Sequence, residues 1–242
     1  MVYSSKENEK IKEIKKLHKS KYRNIHEKFI VETEHLVLEA NEAGLIDYLV
    51  VEEGAYIDIE KPKLIVSKEV MKYLSKLESP SKFLAVCDKK EYDETYGNKI
   101  LVADAIQDPG NLGTIIRSAL AFGFDTVIVS EDSVDVYNEK VIRATQGAFF
   151  HINIVDMMVT EELDELKENG YKLFGSKVEG GKEIKEVTTP EKLAIIVGNE
   201  GRGVKEEILE ICDEHVYIET APNTESLNVG VAASILMYEL RS

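Results

Sequence analysis

The stretch ILVADAIQDPGNLGTIIRSALAFGFDTVIVS (Ile100–Ser130) decides how the rest of the chain is read. Ile100 to Ile106 is a short apolar run of strand length. Pro109 and Gly110 mark a turn, and Leu112 to Phe122 reads as a helix. Thr126 to Ser130 is a second short apolar strand, so the stretch is one strand–helix–strand unit of a parallel sheet. Asn111 precedes the helix and is expected to cap it. Between Thr114 and Gly123 the only charge is Arg117, at the edge of the face carrying Ile116, Ala119 and Leu120. A charge there needs a partner or a ligand. Asp104 and Asp108 are the candidate partners within the protein.

Downstream the same alternation continues. Strands are expected at His151–Val155, Tyr171–Ser176, Leu193–Val197 and His215–Ile218. Helices are expected at Asn138–Gly147, Glu161–Asn169, Val204–Cys212 and Ser226–Leu240. Residues 100–242 therefore read as one α/β domain with a mainly parallel sheet. Upstream, a helix from Glu34 to Ala43 and the strand candidates DYLVVEE and KFLAVCD suggest a small α/β unit over 25–87. Between the two lies DKKEYDETYGNK (88–99), with eight charged or amide residues in twelve, which reads as a linker.

Composition bounds the rest. Of 242 residues, 43% are hydrophobic and 31% charged, enough for a sizeable core. No run approaches the length of a membrane span, and the N-terminus has no signal-peptide pattern, so a cytoplasmic protein with no membrane partner is expected. Cys87 and Cys212 stand far apart and read as small buried hydrophobes. The histidines do not cluster, and no metal site is expected. The net charge of −15 is unevenly spread: residues 1–24 hold eight basic side chains and three acids, a net of +5. Ile11, Ile14 and Leu17 recur there at helical spacing. This basic arm is either an amphipathic helix laid over RNA or a solvated terminal helix.

Ligands of open α/β sheets bind at loops beyond the C-terminal strand ends, and three such loops are unusual. DPGNLG follows the first strand. VGNEGRGV (Val197–Val204) has its glycines in GxxGxG order, unlike the GxGxxG of dinucleotide sites. PNTESLNVGVAASI (Pro222–Ile235) places Ser226 and Asn228 at the start of a helix rich in small residues. Taken singly, each is also explained by a tight turn or a helix cap.

Together, DPGNLGTIIRSALAFG, IIVGNEGRGV and ESLNVGVAASI resemble the three motifs of the SPOUT class in its SpoU (TrmH-like) branch, in order and spacing. EKVIRATQGAFF resembles the helix between the first two motifs, and FIVETEHLVLEANEAG resembles the N-terminal substrate-binding domain. The resemblance covers about residues 25–242. It implies a mainly parallel α/β domain with a C-terminal trefoil knot, and a small α/β RNA-binding domain before it. It implies S-adenosylmethionine-dependent methyl transfer to a ribose 2′-hydroxyl of RNA and a homodimer, and the layout of an N-terminal domain beside the catalytic one favours ribosomal RNA over transfer RNA. By the same resemblance Arg117, Asn111, Glu200, Ser226 and Asn228 are catalytic or substrate positions. Gly198, Ile218 and Leu227 line the cofactor pocket. Glu219 and Thr220 stand where Pro-Met is usual, Gly230 stands where Ser is common, and Thr145 where Ser is frequent. The alternatives are a transfer-RNA ribose methyltransferase and a non-catalytic RNA-binding protein of the same fold. An oxidoreductase using a nicotinamide cofactor lacks the GxGxxG turn and the acid placed after it.

Overall fold

The computed structural model describes residues 1–241 apart from 94, 158 and 224. One residue of the 88–99 segment and one of the 222–235 loop therefore lie outside the described residues. The chain forms two compact units: Met1–Glu91 with Tyr137–Phe150, and Tyr92–Val136 with the chain from His151 onward.

The first unit contains β1 (Val2–Tyr3), α1 (Glu9–Lys16), α2 (Ser20–His26), β2 (Lys28–Glu32), α3 (Glu34–Glu42), β3 (Ile46–Glu52), β4 (Lys63–Val66), α4 (Lys68–Leu74) and β5 (Phe83–Asp88). Its strands form one five-stranded sheet in the order β1-β4-β3-β5-β2. Alternation along the strands separates two apolar faces. Ile30, Val50, Val66, Leu84 and Val86 pack with Ile11, Ile14 and Leu17 and with Val70, Met71 and Leu74 of α4. Phe29, one residue from Ile30, meets Phe149 and Tyr137 instead. The apolar stripe of the N-terminal arm is thus core: Ile11, Ile14 and Leu17 are all buried.

Residues 137–150 carry α6 (Glu139–Thr145). This segment sits in the middle of the sequence assigned to the larger domain, yet it folds into the first unit. Its aromatic end supplies the reason: Phe149 packs on Phe29 at 5.8 Å and on Tyr137 at 5.5 Å. Asn138 caps α6 by accepting from the Lys140 amide at 2.9 Å. The boundaries at 24, 87 and 99 therefore describe the sequence better than they describe the packing.

The second unit contains β6 (Lys99–Ala103), α5 (Pro109–Ala121), β7 (Thr126–Ser130), β8 (Asn153–Met157), α7 (Val159–Glu168), β9 (Lys172–Ser176), β10 (Lys182–Glu183), β11 (Leu193–Val197), α8 (Glu206–Ile211), β12 (Glu214–Tyr217) and α9 (Val229–Glu239). The seven strands lie in the order β10-β12-β9-β11-β6-β7-β8. Each neighbouring pair is parallel. Ile100, Val102, Ile128, Ala194 and Ile196 face α7 and α8 through Leu163, Leu166, Ile208 and Leu209. The alternate residues Leu101, Val127 and Ile195 are equally buried, on the side where Leu112, Ile115 and Ile116 of α5 and Ala233 and Leu236 of α9 are buried. The mainly parallel α/β reading holds. The two-residue β10 is too short to carry a periodic signal. Among the described residues no helix is long and apolar enough to cross a membrane.

Candidate functional site

The site begins with strand register. β11 pairs with β6 so that Val197 lies opposite Ala103. The next residues, Gly198 and Asp104, therefore start two loops side by side at the C-terminal edge of the sheet.

The first loop ends at α5. Asp108, not Asn111, is the N-cap: its side chain accepts from the Asn111 amide at 2.9 Å, and Pro109 fills the first helical position. The expectation of an Asn111 cap is corrected by one turn's start. The helix opens at Pro109, three residues before the Leu112 start of its apolar pattern, because proline needs no amide partner there. Asn111 is thereby freed to use its side-chain amide elsewhere.

The second loop folds back on itself. The Gly203 amide donates to the Asn199 carbonyl at 2.8 Å, and the Asn199 side chain accepts from Gly201 and Arg202. A Cβ at Gly198 would sit 2.2 Å from the Gly203 carbonyl carbon and the Val204 nitrogen. Only glycine permits that fold-back. Lys205 then closes the loop with ion pairs to Asp104 at 3.4 Å and Asp132 at 2.8 Å.

The third loop runs from β12 into α9. Asn228 is the N-cap, accepting from the Gly230 and Val231 amides at 3.0 and 3.3 Å. The helix opens at Val229 rather than Ser226, and Ser226 does not cap it. At Gly230 a Cβ would come within 3.3 Å of Thr114, so α9 lies close to α5. The Ser118 and Ser234 hydroxyls meet across that seam at 2.8 Å.

One hydrogen-bond chain joins the three loops. Asn228 Nδ2 donates to the side-chain Oδ1 of Asn111 at 2.8 Å, and Asn111 Nδ2 donates to Glu200 Oε1 at 3.0 Å. Glu200 also accepts from the backbone amides of Asp108 at 3.2 Å and Gln107 at 3.4 Å. Burial pushes the Glu200 carboxyl up. The Asn111 side chain and the surrounding amides outweigh burial, and its pKa lies below the ordinary carboxylate range. Glu200 is therefore a charged clasp on the first loop and a weak base.

Behind this chain lies a cavity of about 410 Å³ whose walls include Gly198, Glu200, Ile218, Ser226 and Leu227. Its lining mixes apolar side chains, such as Leu209, Val229 and Leu236, with polar ones, such as Lys177, Asn199 and Glu225. That size and mix suit a small, partly polar organic cofactor. Glu219, two residues after the β12 end, is not among the residues lining it. Arg117 is exposed on α5 and does not line the cavity. Among the described residues its guanidinium has no ion-pair partner. Asp104 is engaged by Lys205, and Asp108 caps the helix. The intramolecular salt-bridge alternative for Arg117 is not realised.

Several contributors escaped the sequence reading. Asn199 and Gln107 act through local backbone geometry, and Lys205 acts across about 100 residues of chain to Asp104. The only sequence signal for Lys205 is a basic residue directly after the glycine loop.

The chain is similar to known proteins of one family. Residues 98–238 match the SpoU rRNA methylase family, and residues 8–85 match the MRM3-like substrate binding domain. The chain is 39% identical over 242 residues to the 23S rRNA (guanosine(2553)-2′-O)-methyltransferase RlmP of Bacillus subtilis strain 168, with 98% of each chain covered. A solved RNA 2′-O ribose methyltransferase is 31% identical with a TM-score of 0.84, covering 99% of this chain and 98% of that one. An AdoMet-bound rRNA methyltransferase from Sinorhizobium meliloti, 24% identical with a TM-score of 0.89, shares the fold over 100% of this chain and 97% of its own. With three motif loops joined at one cavity and a family match over more than half its length, the chain belongs to the SpoU rRNA methylase family.

Proposed function

We propose that the protein methylates a ribose 2′-hydroxyl of a guanosine in 23S ribosomal RNA, using S-adenosylmethionine. The observation that carries the reading is the Asn228–Asn111–Glu200 chain, which holds all three motif loops around the cavity. The near full-length likeness to RlmP supports the choice of RNA. Gly198, Ile218 and Leu227 would hold the cofactor, whose sulfonium supplies an already activated methyl group.

The chain's own work is then alignment and charge. The site holds nucleophile and acceptor in line, and a proton must leave the ribose hydroxyl as it attacks. Glu200 is a poor acceptor, because its oxygens are already committed and its pKa is lowered. Arg117 remains protonated and cannot act as a base. It grips an RNA phosphate in bidentate fashion and donates to the hydroxyl, favouring the developing alkoxide. Solvent or a phosphate oxygen takes the proton. Asn111, fixed at both ends of its amide, orients the substrate side of the site, and Ser226 and Asn228 present the third loop to it.

Two further properties belong to this reading. The C-terminal trefoil knot is supported by the order of strands around β11 and by the return of α9 onto α5. A homodimer is supported by apolar side chains left exposed on these same helices: Leu120 at 37%, Val231 at 47% and Tyr238 at 47%. The test is to incubate the protein and S-adenosylmethionine with an unmodified 23S rRNA transcript and map ribose methylation by mass spectrometry. One new 2′-O-methylguanosine is expected. No methylation of ribosomal RNA, together with methylation of a transfer-RNA pool, would overturn the choice of RNA.

A further inference from the structure

The polyanion reading leaves a puzzle, because the chain carries a net charge of −15. Two segments run against that total. Residues 1–24 have a net of +5, and residues 61–76 hold Lys61, Lys63, Lys68, Lys72 and Lys76 against one acid, Glu69, a net of +4. They are separated by 36 residues of sequence (25–60), and the fold brings them together. α1 and α4 share one core, Ile11 and Ile14 with Val70, Met71 and Leu74. β1 pairs with β4 in the same sheet, Val2 opposite Ile65.

The seam is centred on Tyr73. The Lys15 ammonium donates to the Tyr73 carbonyl and lies 4.9 Å from the centre of its ring, with Lys6 at 5.6 Å. Lys15 is thereby spent on fixing α1 to the end of α4. Lys6, Lys16, Lys68, Lys72 and Lys76 are exposed and make no ion pair among the described residues, with Lys6 and Lys16 each lying over a tyrosine ring. Lys12 is paired with Glu7. Glu9, Glu13 and Glu69 also lie on these helices and dilute the face without reversing its sign. Exposed ammoniums without carboxylate partners raise the local positive field, and local field outweighs total charge.

We infer that the α1/α4 face of the first unit is the docking surface for the phosphate backbone of the RNA. The inference rests on the reading that RNA is the substrate. It assigns the positive arm a role that its buried apolar stripe alone would not have revealed.

The test compares two variants of equal charge change in the full-length protein. K16E/K68E/K72E alters the face, and K182E/K185E/K192E alters the second unit. Binding to a 23S rRNA transcript is measured over a range of salt, with S-adenosylmethionine affinity by calorimetry as the folding control. The α1/α4 variant is expected to lose more than about tenfold in RNA affinity, and its log–log salt slope to shrink by about 2 to 3 for three lost phosphate contacts. The control variant is expected to keep both the greater part of its affinity and its slope. Equal losses in the two variants, or none in either, would overturn the docking face. So would unchanged RNA affinity with lost binding to phosphatidylglycerol vesicles. If the unaltered protein binds S-adenosylmethionine and no RNA, the substrate reading fails, and the docking face with it.

Discussion

In the proposed mechanism Arg117 and Glu200 divide the labour of the site by charge. Arg117 is exposed and makes no ion pair among the described residues, whereas Glu200 is held by the Asn111 side chain and by the loop amides. A lysine at 117 keeps the charge and loses the planar fork. Arg117→Lys is therefore expected to lower methyl transfer about 100-fold or more, the scale of a lost charge-assisted pair, with cofactor affinity retained. Single-turnover kinetics and calorimetry check the two halves. Near-wild-type turnover would remove the bidentate role. Glu139 offers a second residue-scale test, in the first unit. Burial pushes its carboxyl up, but the His18 ring and the amide at the start of α6 override this and bring it to about 2. A depressed carboxylate contributes stability that is full above its ordinary value of 4.5 and is lost as pH falls toward 2. Acid unfolding followed by circular dichroism should be shallower in Glu139→Gln than in the wild type between pH 5 and pH 2.

At the scale of elements, the motif loops work because strand register fixes where they start. Ala103 and Val197 are opposite one another, so the loops after them can share Glu200. The fold-back at Gly198 is the tightest point, with 2.2 Å to the Gly203 carbon. Gly198→Ala is expected to open this loop and abolish measurable cofactor binding while the β11 strand remains paired. Calorimetry reads the first effect and hydrogen exchange the second. Cofactor binding at wild-type affinity would show that the loop has another way to close. The sequence was most legible at this scale. Thr126–Ser130 and Leu193–Val197 are strands with the bounds their apolar runs give. Helix ends were read less well, because caps depend on single polar groups. Asp108 displaces Asn111 as a cap, and Asn228 displaces Ser226.

At the scale of the molecule, α5 and α9 form an outer layer that leaves Leu120, Val231 and Tyr238 exposed. Solitary exposed apolar side chains are ordinary, but three on two adjoining helices fit a second copy of the chain. Val231→Asp is expected to shift the protein to a monomer in sedimentation velocity and to reduce methyl transfer. A monomeric wild type with full activity would remove the dimer from the mechanism.

What the sequence determined by itself is local and periodic. Apolar runs of five residues set the strands of the larger unit, glycine and proline placed its turns, and three motifs in order identified its family. Tertiary structure decided everything that depends on distant residues meeting. It set α6 into the first unit through Phe149 and Phe29, and it turned the basic arm's apolar stripe into core. It also placed α4 beside α1, and gave Asp104 to Lys205 rather than to Arg117. The physical reason is the same in each case. Periodicity records which side of an element is buried, but not which other element buries it, and the pairing of charges follows from that choice.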